Sequence, residues 1–95
     1  MKICIYYRKN LKLSPQKLAS SSAHVANQLG YMLADCGEYN YPQDATIVVL
    51  MASDNKFNEI KEEIESCEDI LSHLHVDKGL TEVDPETEIT FGYVE

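Results

Sequence analysis

The sequence has no tryptophan and only 8% aromatic residues, and its four glycines, Gly30, Gly37, Gly79 and Gly92, stand alone. Isolated glycines cannot build a GxGxxG or P-loop cradle, so nothing here marks nucleotide-dependent chemistry. Cysteine is scarce as well: Cys4, Cys36 and Cys67 are an odd number with no CxxC pair. That pattern argues against a disulfide framework and suits reduced, mostly buried thiols in a reducing compartment. Long apolar runs are missing too. The amino terminus, "MKICIYYRKN", holds five apolar residues before Arg8 and Lys9, too few for a membrane span, and lacks the cleavage pattern of a signal peptide. A cytoplasmic location is expected.

Catalytic signatures are equally thin. No Ser, Thr or Cys is set locally beside a His with an orienting acid. Cys36, at the predicted carboxyl end of a helix beside Asp35 and Glu38, lacks the electropositive setting a reactive thiol needs. His73 and His75 form an HxH pair that on a strand would point both rings one way, but further ligands are not evident, so no metal or cofactor is expected. His24 reads as a boundary residue of the first helix rather than a base. These absences lead to the expectation of a non-enzymatic protein.

Charge is what the sequence has in excess, and it is unevenly placed. Residues 1–50 carry five basic and three acidic side chains, a net of +2, whereas residues 51–95 carry thirteen acids against Lys56, Lys61 and Lys78, a net of −10. A carboxyl half this acidic repels nucleic acid and anionic membranes, so direct nucleic-acid binding is expected only if the small basic cluster at residues 8–17 acts alone.

Ninety-five residues suit one domain, spanning 1–95. "KICIYY" reads as a strand, and "SPQK" as a helix start, with Ser14 capping and Pro15 at the first helical position. Leu18, Ser22, Val25, Leu29, Met32, Leu33 and Cys36 then recur at spacings of three and four, the stripe of an amphipathic helix ended by Gly37. Tyr39 to Tyr41 alternate briefly before a turn, and "TIVVLM" has the continuous apolar character of a strand covered on both faces. "SDN" starts a second helix with a stripe of Phe57, Ile60, Ile64, Cys67 and Leu71; residues 68–76 read equally as its continuation or as a strand. "EITFGYV" is the last strand. The order β-α-β-β-α-β points to a ferredoxin-like split βαβ sandwich, an α+β fold with two helices on one face of a mostly antiparallel sheet. The alternative, if Tyr39–Tyr41 is a loop, is a three-stranded β-α-β-α-β layer.

On the second helix Glu59, Glu62, Glu65 and Asp69 run opposite the apolar stripe, with Lys61 placed to relieve Glu65. Glu82, Asp84, Glu86 and Glu88 alternate so that an extended segment would turn them all one way. Two acidic rows lead to a functional expectation: an inhibitor or regulator that presents carboxylates in place of phosphates to a basic nucleic-acid-binding partner protein, in the manner of phage anti-restriction or anti-CRISPR proteins. Its contacts would be Glu59, Glu62, Glu65, Asp69, Glu82, Asp84 and Glu86, with Tyr6, Tyr7, Tyr39 or Tyr41 as aromatic anchors. The competing expectation is a ferredoxin-like small-molecule sensing or oligomerisation module, whose sheet edges pair in a homodimer. The plainest reading of the acidic rows is a solvated surface.

Overall fold

In the computed structural model, residues 1–36, 45–77 and 86–95 are described. They form β1 (Lys2–Arg8), a short 3-10 turn at Lys9–Leu11, α1 (Pro15–Asp35), β2 (Thr46–Ala52), α2 (Asp54–Glu65), β3 (Ser72–Asp77) and β4 (Thr87–Val94). The result is an α+β arrangement of two helices and a four-stranded mixed sheet, ordered β2-β1-β4-β3. β1 pairs parallel with β2 and antiparallel with β4, and β3 pairs antiparallel with β4. It follows that β1, β2 and β3 all run the same way.

Two crossovers build this sheet, and their directions decide where the helices lie. From β1 through α1 the chain steps outward to β2; from β2 through α2 it steps back across β1 and β4 to β3. Right-handed crossovers are the rule, and two right-handed steps in opposite directions put their helices on opposite faces. The packing agrees. Ile3 and Ile5 of β1 meet Val25 and Leu29 of α1, whereas Tyr6, of opposite parity on the same strand, packs with Phe57, Ile60 and Ile64 of α2 and with Phe91.

The described residues therefore do not show the expected split βαβ sandwich. A split unit leaves a strand between its two partners, but β1 and β2 are hydrogen-bonded neighbours, and the helices cover two faces instead of one. The three-stranded alternative falls one strand short, because residues 72–77 form β3, settling the ambiguity over residues 68–76 in favour of a strand. The proposed strand at Tyr39–Tyr41 and the helix stop at Gly37 lie outside the described residues.

Both helix starts follow their sequence signals. Ser14 Oγ accepts a hydrogen bond from the Lys17 backbone N–H at 3.1 Å, Pro15 follows it, and Ser53 Oγ accepts one from Lys56 N–H at 3.3 Å. α1 buries Ser21, Val25, Leu29 and Leu33. Gly92 of β4 allows α1 its close approach, since a Cβ there would run into Val25 Cγ1 and lie 3.2 Å from the Cys4 carbonyl oxygen.

Other expectations need correction. α2 ends at Glu65, so Cys67 lies beyond it and is exposed, while Leu71 packs against the α1-side cluster. Of the three thiols, Cys4 is buried but Cys36 and Cys67 are exposed. β2 does not show the coverage expected on both faces: among the described residues it is the outermost strand, paired with β1 alone, and Ile47, Val49, Leu50 and Met51 are 42% to 54% exposed. Lys61 turns away from Glu65 and donates to Glu88 Oε1 at 2.6 Å, drawn across to β4.

Candidate active site

The three parallel strands all end at one edge of the sheet, at Arg8, Ala52 and Asp77, and both helices begin there. In sheets whose successive crossovers go opposite ways, that edge is where ligands bind. Two helix amino termini also bring positive dipole ends to it.

At this edge Lys17, in the first turn of α1, forms an ion pair between its Nζ and Oδ2 of Asp77, the last residue of β3. The lysine side chain is 15% exposed and the aspartate 5%. Local sequence explains the placement. The Ser14 cap grips the Lys17 N–H and fixes the helix start, and the Asp77 carbonyl accepts from Glu86 N–H at 2.7 Å, closing the β3–β4 connection directly after it. Taking both charges out of water costs several kcal/mol per ion, so apolar residues of equal volume would serve stability as well or better. A charge pair kept at this edge despite that cost marks a candidate functional site.

Behind the pair, α1 and β3 continue in register. Ser21 and His24 stand on the same side of α1 as Lys17, at i+4 and i+7, and His73 and His75 share a face of β3 with Asp77. Thr90, the partner of His75 across the β3–β4 ladder, is buried and donates to the Ser21 carbonyl at 3.4 Å. The His24 and His75 rings stack 4.9 Å apart and 7° from parallel. Burial holds both His73 and His75 below the ordinary histidine range; nearby His24 pushes the same way, and for His75 Asp77 opposes the shift while Lys17 and His73 add to it. His24 is thus no isolated boundary residue. The HxH pair points one way, as expected, toward α1 and His24.

On the other face Arg8 braces the same edge. Its Nε and Nη2 donate to Asp54 Oδ1 and Oδ2 at 3.0 and 3.2 Å, and its Nη1 donates to the Glu88 carbonyl at 2.9 Å. The bidentate hydrogen bond from Arg8 holds the Asp54 carboxyl below the usual carboxylate range. Lys9 and Lys12 stand exposed in the connection between β1 and α1, and Lys56 is exposed in the first turn of α2. Among the described residues, Arg8, Lys9, Lys12, Lys17 and Lys56 therefore gather at this edge, together with Asp54, Asp77, Glu86 and Glu88.

The residues expected to contact a partner mostly lie elsewhere. Glu59, Glu62 and Glu65 are exposed on α2, and Asp69 is exposed between α2 and β3, toward the opposite end. There Glu68, Asp69 and Glu95 line a 620 Å³ groove with Met1 and Leu33. Glu86 is the exception: exposed and with a positive φ of 64° just before β4, it sits at the candidate edge, its N–H on the Asp77 carbonyl. Glu82 and Asp84 lie outside the described residues, as do Tyr39 and Tyr41; Tyr6 and Tyr7 are half-buried in β1. Sequence reasoning missed Lys17 and Asp77 because they are sixty residues apart and follow no short motif. The available signal was the basic cluster at residues 8–17 beginning at a capped helix.

The sequence model of the family "Peptidyl-tRNA hydrolase PTH2" matches residues 1–93, and the chain belongs to that family. No individual curated protein gives a significant match. Membership overturns the expectations of a non-enzymatic inhibitor or sensing module, of an anti-restriction or anti-CRISPR phage protein, and of a basic protein partner in place of nucleic acid. The family is one of hydrolases acting on an RNA-linked substrate. The acidic half misled because net charge along the chain says nothing of placement: the fold sets exposed Lys9, Lys12 and Lys56 around the strand-end edge, while Glu62, Glu65 and Asp69 lie toward the other end. Among the described residues no helix is long and apolar enough to cross a membrane.

Proposed function

We propose that this chain, acting as a single domain in the cytoplasm, hydrolyses the ester joining a peptide to the 3′-terminal ribose of tRNA, with Lys17 and Asp77 as its catalytic residues. The buried Lys17–Asp77 ion pair at the strand-end edge carries this reading. Asp77 accepts a proton from water as the water oxygen attacks the ester carbonyl. The C=O electron pair moves onto the carbonyl oxygen, where the Lys17 ammonium and the α1 amino terminus stabilise the growing charge. The C–O bond to ribose then breaks. The carbonyl re-forms as the Asp77 proton passes to the departing 3′-oxygen, and the new carboxyl group releases its own proton to solvent, leaving a free peptide carboxylate and tRNA with an intact 3′-hydroxyl.

The charge layout supports an RNA substrate despite the chain's formal charge of −8. Lys9, Lys12 and Lys56 flank the site as phosphate contacts, while Glu62, Glu65 and Asp69 face away and serve solubility. An N-acetylated aminoacyl-tRNA tests the reading: the wild type should release the acylated amino acid, and correctly folded Asp77→Asn should not. Absence of turnover by the wild type, or an undiminished rate in Asp77→Asn, overturns it.

A further inference from the structure

Along α1, Ser20, His24 and Asn27 continue the stripe that begins at Lys17, at spacings of three and four. Ser20, Ala23, His24 and Asn27 line a depression of about 310 Å³ beside the exposed His24. His24 is not a loose surface ring, because the half-buried imidazole of His75 backs it at 4.9 Å with the planes 7° apart. A ring held flat by a second ring loses little freedom when a third plate settles on or beside it.

We infer that this depression is a nucleobase subsite, in which the base of the nucleotide bearing the ester stacks on the His24–His75 pair while Ser20 and Asn27 meet its polar edge. The inference rests on the hydrolase reading and names where that substrate's last base lies. Three observations carry it. The spacing fits: His24 is seven residues from Lys17, about 10 Å along the helix at 1.5 Å per residue, a separation suited to a ribose bridging the reacting ester and its base. The chemistry fits: unpaired RNA bases are recognised by stacking on flat side chains, histidine included, together with hydrogen bonds at their edges. The lining also disfavours the peptide as occupant. It is lined by Ser20, Ala23, His24 and Asn27 and by no large aliphatic side chain, and peptide sequences vary whereas the terminal nucleoside of tRNA is constant.

In this arrangement His24 positions the substrate and takes no proton in the reaction. The test uses a short single-stranded RNA ending in 2-aminopurine riboside, titrated into the Asp77→Asn protein with base fluorescence as the readout. Stacking should quench the fluorescence. Adding His24→Ala should abolish the quench and weaken binding roughly ten- to hundredfold, whereas His24→Phe, which restores a flat ring, should keep both. In the otherwise wild-type enzyme, His24→Ala should raise KM for acylated tRNA by a similar factor and leave kcat within about threefold. Equal quenching in Asp77→Asn with and without His24→Ala overturns the subsite, as does failure of His24→Phe to rescue while its circular dichroism and melting temperature match those of its parent. The fluorescence measurement needs no turnover, so the subsite and the hydrolase reading fail separately: quenching without hydrolysis condemns the latter alone.

Discussion

The two ends of the sheet carry opposite chemistry. Where β1, β2 and β3 finish, the fold sets two helix amino termini, Arg8 paired with Asp54, Lys17 paired with Asp77, exposed Lys9, Lys12 and Lys56, and the acids Glu86 and Glu88. Where those strands begin, α2 ends among Glu62, Glu63 and Glu65, with Glu68, Asp69 and Glu95 close by. Among the described residues, the first end alone combines positive dipoles with a largely buried ion pair. A chain strongly acidic in sum can thus still hold exposed Lys9, Lys12 and Lys56 around its candidate site, because recognition responds to the local field.

The sharpest way to break the contrast is to neutralise the pair. Lys17→Met or Asp77→Asn should each lower kcat for acylated tRNA by about 10²- to 10⁴-fold, the range for losing a charge-stabilising or proton-accepting group. The double variant should be little worse than either, since the two act as a unit. Additive losses would mean that they work independently.

A smaller effect follows from moving the helix that carries Lys17. Gly92→Ala places a methyl group against Val25 Cγ1 and the Cys4 carbonyl, so α1 must shift from the sheet. Overpacking of this kind costs about 1 to 3 kcal/mol, read as a lower melting temperature, and it should reduce kcat because Lys17 and Asp77 are held by different elements. A stable Gly92→Ala protein with full activity would show that the site tolerates displacement of α1.

Acid should weaken the same end. His73 and His75 lie below their ordinary value of 6.5 in the folded protein, chiefly through burial, so the unfolded chain binds their protons more readily. Stability is unaffected by them well above pH 6.5 and declines as pH falls through that value. Facing groups are His24 for both, with Asp77 and Lys17 also acting on His75. Denaturant melts between pH 8 and 5.5 should show this decline, and it should shrink in the double variant His73→Gln, His75→Gln.

What the sequence disclosed and what it withheld differ in range. Local signals read correctly: Ser14 and Ser53 cap their helices, Val25, Leu29 and Leu33 face the core, and "KICIYY" and "EITFGYV" are strands. These depend on neighbours within a turn or two. Strand order does not, and the ferredoxin-like expectation rested on an order that hydrophobic pattern leaves undetermined. With the order unknown, nothing could bring Lys17 to Asp77 or His24 to His75, pairs that meet because the α1 crossover lies over β3. The exposed apolar residues of β2 show the same limit: a continuous apolar run fits a covered strand, yet here it belongs to the sheet's edge.

The smallest effect belongs to the acidic end, and its smallness is informative. Glu62 and Glu65 lie in the last turn of α2, where the helix dipole disfavours negative charge, and no basic residue occupies that turn. Replacing both with Lys removes like-charge neighbours and sets cations against the carbonyl end, each change contributing about 0.3 to 1 kcal/mol. The melting temperature should therefore rise by a few degrees. Activity on acylated tRNA should stay within about twofold at physiological salt, because these side chains stand at the far end of the strands from Lys17 and lie beyond a Debye length of about 8 Å. Converting Lys9 and Lys12 to Gln should do the reverse, leaving stability alone while raising KM and flattening its salt dependence by nearly one power for each phosphate no longer neutralised. If the Glu62 and Glu65 changes altered KM as strongly as the Lys9 and Lys12 changes, RNA would be reading net charge over the whole molecule, and the division between its two ends would carry no functional meaning.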